Sequence, residues 1–70
     1  MTEVVPHVQR MIEEGEQLAD RVEKLGKFLV GPIYSTLPEE EQTLMSAQCG
    51  AMTAYLQVLT LRIARATGGQ

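Results

Sequence analysis

The chain reads as an all-α protein, an antiparallel hairpin of two helices that assembles into a homo-oligomeric helical bundle. Three observations carry that reading. Apolar or small residues recur at alternating steps of three and four through two long stretches, the spacing of a helical packing seam. A single Gly31-Pro32 break separates the stretches. The alternation of apolar and polar residues that marks a half-buried strand is missing. At 70 residues there is room for one domain. Its expected layout is a helix over about 6–30, a turn over 31–37, a helix over about 38–66 and a frayed tail at 67–70.

In the first helix the seam is Val8, Met11, Gly15, Leu18, Val22, Leu25 and Leu29. Pro6 suits the first turn, where its missing N–H leaves no bond unmade. Gly15 and Gly26 each weaken a helix by about 1 kcal/mol relative to alanine, and mark a kink or a close approach of another backbone. Gly31-Pro32 is expected to stop the helix, glycine taking a left-handed cap and proline barring continuation. Thr36 with Glu39 three residues later has the spacing of a capping box, and Glu39, Glu40 and Glu41 complement the positive end of the second helix dipole. Lys24 and Lys27 are expected to face those glutamates across the hairpin. The second seam is Met45, Cys49, Met52, Leu56, Leu59, Ile63 and Ala66, and Gly68-Gly69 ends it. So short a connection makes the helices antiparallel neighbours.

The helices differ in charge. The first carries an ordinary solvated face, whereas the second has no charged residue from Gln42 to Leu61. A helix without charge on any side is normally surrounded by protein or lipid. Gln42, Thr43, Ser46, Gln48, Thr53, Gln57 and Thr60 make it too polar for a membrane span, which leaves protein. One charged helix covers only one side, so the remainder is expected to meet other copies. A second stripe, Leu44, Ala51, Tyr55 and Val58, supports this. A chain this short also supplies little core stability of its own, on the order of 3–5 kcal/mol.

Several function classes are disfavoured. The net charge of −3 argues against a binder of polymeric nucleic acid. One cysteine, Cys49, precludes an intrachain disulfide, and with one histidine no Cys/His metal site is expected. Cys49 on the seam reads as a small buried hydrophobe. No nucleophile–base pair or phosphate loop is visible, so no enzymatic activity and no cofactor are expected. The opening residues lack a signal-peptide core, and the expected location is a cytoplasm.

One constellation stands out. In an antiparallel hairpin centred near Tyr34, position 10 falls opposite about 58 and position 7 opposite about 61. His7 and Arg10 then share the open end with Arg62 and Arg65. Arginine's planar fork suits phosphate oxygens, so these four are the candidate phosphate contacts. Capping of the second helix's last turn is the plainer use of the arginines. Tyr55 and Tyr34 are candidates for stacking on a base, with packing as the alternative.

These residues fall into a pattern. Pro6-His7-Val8-Gln9-Arg10, Leu18 to Leu29 as L-x-x-R-x-x-K-L-x-x-F-L, Leu37 to Met45 as L-x-x-x-E-Q-x-L-M, and Gln48 to Ile63 as Q-x-x-A-M-x-x-Y-x-x-V-L-x-x-R-I cover most of the chain. The chain resembles a family of small bacteriophage proteins related to crAss-like phage products. It is also similar to the helical-hairpin phage sponges that bind cyclic nucleotide messengers of CBASS or Thoeris defence without cleaving them. The better-known sponges carry an N-terminal extension and I-K-x-x-G and R-T-x-L-x motifs that this chain lacks. The resemblance implies an oligomer in the host cytoplasm that holds a cyclic oligonucleotide or cyclic ADP-ribose-type signal between subunits. Arg10, Arg62 and Arg65 would take the phosphates, and Tyr55 or Tyr34 the bases. The alternative is a small interaction or assembly protein that docks a host or phage protein through its helical faces.

Overall fold

A computed structural model describes residues 6–68. Helix α1 spans Pro6–Leu29, a 3₁₀ turn spans Tyr34–Thr36, and helix α2 spans Glu39–Ala66. The described residues contain no strand, and the two helices pack side by side as an antiparallel hairpin. The result is a rod of 53 × 18 × 15 Å.

Both seams meet at the interface. Val8 and Leu18 on α1 and Leu59 on α2 are buried, Leu59 completely. Met11, Gly15, Val22, Leu25 and Leu29 on one side, and Met45, Cys49, Met52, Leu56 and Ile63 on the other, are half-buried along the same line. Ala66, the last expected seam position, is exposed; the seam ends at Ile63. The two α1 glycines do not mark the approach of another backbone: Gly15 faces side chains of α2, and nothing lies within 4 Å of a methyl at Gly26. A methyl group at Gly15 would sit 3.4 Å from Ile63 Cδ1 and 3.8 Å from Leu59 Cδ2, which is ordinary contact.

The ends are built differently from expectation at three places. α1 does not close on a left-handed Gly31. Among the described glycines only Gly68 has positive φ, at 77°. Instead the Gly31 N–H donates to the Phe28 carbonyl at 3.0 Å, tightening the last turn into 3₁₀ form. The Thr36–Glu39 capping box does not form either. Thr36 Oγ1 donates to the Ile33 carbonyl at 2.6 Å, and Pro38, which stands at the N-cap position, has no side-chain bond to give. The turn is held from α2 instead: Gln42 Nε2 donates to the Leu37 carbonyl at 2.8 Å, and the Tyr34 hydroxyl donates to the Gln42 carbonyl at 2.7 Å. Third, Lys24 and Lys27 pair within α1, with Asp20 at 3.0 Å and Glu23 at 3.2 Å, and not with Glu39–Glu41. These i,i+4 geometries need no rearrangement of the chain, so they win over a cross-hairpin pair. Glu39, Glu40 and Glu41 do occupy the first turn of α2. At the far end the Thr67 N–H and hydroxyl both donate to the Ile63 carbonyl at 2.9 Å, and Gly68 takes the left-handed conformation that ends the helix. Positions 69–70 of the expected tail lie outside the described residues.

α1 is strongly amphipathic and α2 is not. On α2 the side turned from α1 exposes Leu44 (65%), Val58 and Leu61 (66%) together with the alanines between them.

The interface gives two mutational expectations. Leu59→Ala removes the one side chain that is fully buried among the described residues and should cost about 2–5 kcal/mol, enough to unfold much of so small a protein. Gly15→Ala should stabilise by up to about 1 kcal/mol, because the added methyl fits and the helix propensity rises. Urea denaturation followed by circular dichroism measures both.

Candidate functional site

The antiparallel register brings the start of α1 beside the end of α2. There His7, Met11, Arg62, Arg65 and Ala66 line an open recess of about 430 Å³. His7 comes from the first turn of α1 and Met11 from the next. Arg62 and Arg65 stand three residues apart on the last turns of α2, so both guanidinium groups approach the recess from one side. Three of the four candidate phosphate contacts therefore converge. The fourth, Arg10, is exposed on α1 one turn beyond His7 and does not line the recess.

The electrostatics of this end favour an anion. Among the described residues no carboxylate pairs with Arg10, Arg62 or Arg65, although the chain carries more acids than bases. The positive end of the α1 dipole adjoins the recess. The negative end of α2 is there too, and Arg65 in its last turn offsets it. Two adjacent guanidinium groups without a carboxylate can form bidentate bonds to phosphate or carboxylate oxygens.

The tyrosines separate. Tyr55 is 43% exposed, and its hydroxyl donates to Glu14 Oε2 on α1 at 2.6 Å. This bond joins the helices two turns from Arg62, on α2 positions seven residues apart that share a face. It raises the Tyr55 pKa above the ordinary 10.0: the hydrogen bond to Glu14 dominates, desolvation and the Glu14 charge add to it, and Arg62 opposes. Tyr34 lies at the opposite end of the rod. Its ring meets Phe28 edge-on at 6.5 Å and its hydroxyl holds the turn, so within one chain it packs and does not join the arginines.

Met11 and Glu14 were not among the expected site residues. Counting outward from Tyr34 gives a register displaced from the one observed: it sets position 15 against about 53, whereas Gly15 lies against Leu59 and Ile63, so neither contact followed from it. Elsewhere, Glu39, Glu40, Thr43 and Leu44 line an acidic depression at the turn end of about 490 Å³, and a shallow apolar groove runs past Gly15, Ala19 and Leu56. Among the described residues no cluster of His, Cys, Asp and Glu could hold a metal ion. No helix is long and apolar enough to cross a membrane.

The profile of the Sequestin family matches residues 5–65. The chain belongs to the Sequestin family. The match takes in α1 from its first residue, the turn, and α2 through Arg65, so both sides of the recess lie inside it. The family's name denotes sequestration, in keeping with a protein that holds a partner. No curated protein and no solved structure matches this Sequestin chain.

The Tyr55–Glu14 bond has a measurable signature. In a Tyr34→Phe background, Glu14→Gln should lower the midpoint of phenolate absorbance, because the carboxylate that favours the protonated phenol is gone. The folded state holds the Tyr55 proton more tightly than the unfolded state. The bond's stabilisation is therefore full below pH 10.0 and is lost as pH rises through the raised value. An unchanged midpoint in Glu14→Gln would show that the bond does not persist in solution.

Proposed function

We propose that this Sequestin is a phage-encoded, homo-oligomeric sponge. It binds a cyclic nucleotide immune signal in the cytoplasm of the infected bacterium, of the cyclic oligonucleotide or cyclic ADP-ribose type, and withholds it from its receptor without cleaving it. One observation carries the reading: in an acidic chain of a family named for sequestration, Arg62, Arg65 and His7 line one recess, and among the described residues no carboxylate of the same chain pairs with the arginines. Cyclic nucleotides present phosphates for such a fork and bases for a flanking ring. Arg62 and Arg65 take the phosphate oxygens, and His7 and Arg10 add donors from α1. Tyr55, on the same flank as Arg62, offers a stacking face. Tyr34 reaches that ligand only from another copy. Release of the intact signal is the expected fate, because among the described residues the recess offers no nucleophile–base pair or metal set for hydrolysis.

A second reading is favoured by the exposed apolar side of α2: a small interaction or assembly protein that docks a host or phage protein. The two readings separate by mutation. Under the sponge reading Arg62→Ala with Arg65→Ala abolishes ligand binding and leaves the hairpin folded, whereas docking depends on Leu44 and Val58.

Isothermal titration against a panel of cyclic di- and trinucleotides and cyclic ADP-ribose isomers provides the test. The expected result is binding of at least one at micromolar concentration or below, a loss of about 2 kcal/mol or more in the double-alanine variant, and recovery of the unaltered nucleotide after heating the complex. No heat with any of them would contradict the sponge.

A further inference from the structure

The residues of α2 that face away from α1 form a second, complete helical seam. Leu44, Ala47, Ala51, Ala54, Val58 and Leu61 follow one another at steps of 3, 4, 3, 4 and 3, and all six are exposed. The α1-facing residues Met45, Cys49, Met52, Leu56, Leu59 and Ile63 sit on the other side of the same helix. α2 is thus a two-sided helix, with one seam occupied within the chain and one open. A seam with leucines near its ends and alanines at its centre allows the backbones to approach closely.

Charge selects what covers it. The seam continues at its start to Glu40 and at its end to Arg65, with Glu41 and Arg62 on one shared flank and no charge between. Two copies in parallel would stack glutamate on glutamate and arginine on arginine. Two copies in antiparallel place opposite charges together at both ends.

We infer that a second copy of this chain covers the open seam in antiparallel orientation. Leu44 packs against the partner's Leu61, Ala47 against the partner's Val58, and Ala51 against the partner's Ala54. Glu40 meets the partner's Arg65 at each end. Sliding by a heptad unpairs the end charges and leaves a leucine layer uncovered, so this register is the one the sequence favours. The inference rests on the oligomeric reading proposed above and adds its geometry. It also brings the partner's turn, Tyr34 included, to the level of the arginine recess, where the partner's Glu40 and the ligand share Arg65.

The test is a charge exchange read by sedimentation equilibrium. The wild-type chain should sediment as a dimer or a multiple of it. Glu40→Arg alone and Arg65→Glu alone place like charges at both ends, and each should dissociate about tenfold or more readily. An equimolar mixture of the two variants restores opposite charges at both ends and should assemble about as well as wild type. A second measurement does not depend on charge. In a Cys49→Ser background, mild oxidation of mixed Leu44→Cys and Leu61→Cys chains should give the mixed disulfide dimer in preference to either homodimer. An assembled wild type whose mixed variants fail to recover would overturn the antiparallel pairing alone. A monomeric wild type would overturn the pairing and the oligomeric reading together, while the nucleotide titrations still judge ligand binding by themselves.

Discussion

The structure depends on a mismatch between two helices. α1 has one apolar side and one charged side, so a single partner satisfies it. α2 has no charge from Gln42 to Leu61, and α1 covers only one side of it. Apolar residues exposed singly on a surface need no explanation, but Leu44, Val58 and Leu61 lie in line on one helix face with only small residues between them. Within the hairpin only Val8, Leu18 and Leu59 are buried among the described residues. A single layer between two helices cannot supply the core that most independent domains have. Stability and the exposed face of α2 therefore point to the same remedy, burial between chains.

The candidate site follows from the same hairpin. Antiparallel packing places the first turn of α1 beside the last turns of α2, and so gathers His7, Arg62 and Arg65 from opposite ends of the sequence. The Tyr55–Glu14 hydrogen bond ties the helices two turns away, in the register that the packing of Gly15 against Leu59 and Ile63 sets. Acids and bases sort along α2: glutamates complement the dipole where it starts and arginines where it ends. What serves the helix dipole also leaves an arginine pair at the open end that no carboxylate among the described residues pairs with.

The seams were legible because periodicity reports which residues face a neighbour, whatever that neighbour is. Val8 to Leu29 and Met45 to Ile63 lie where their spacing puts them, and the neutral stretch of α2 is the one whose side away from α1 is apolar and exposed. Counting outward from the turn brought His7 to the end that holds Arg62 and Arg65, but the observed pairing is displaced by about two turns from the counted one, with Gly15 against Leu59 and Ile63. The ends of the elements were less legible, because several local bonds compete there and sequence does not rank them. Thr36 had the spacing of a cap but bonds back to Ile33, and Gln42, unremarkable in sequence, holds the turn. Gly31 had the composition of a left-handed cap but closes a 3₁₀ turn. Lys24 and Lys27 found acids on their own helix before any across the hairpin. Tyr34 was ambiguous between ligand and packing, and only the position of Phe28 shows its packing.

The most direct measurement is the thermal midpoint of the wild-type chain as a function of its own concentration. If sister copies shield the neutral face of α2, association and folding are linked by mass action, and the midpoint should climb steadily over about a hundredfold rise in concentration. A midpoint that stays constant over that range, in a chain that remains helical and monomeric, would contradict the account at its base.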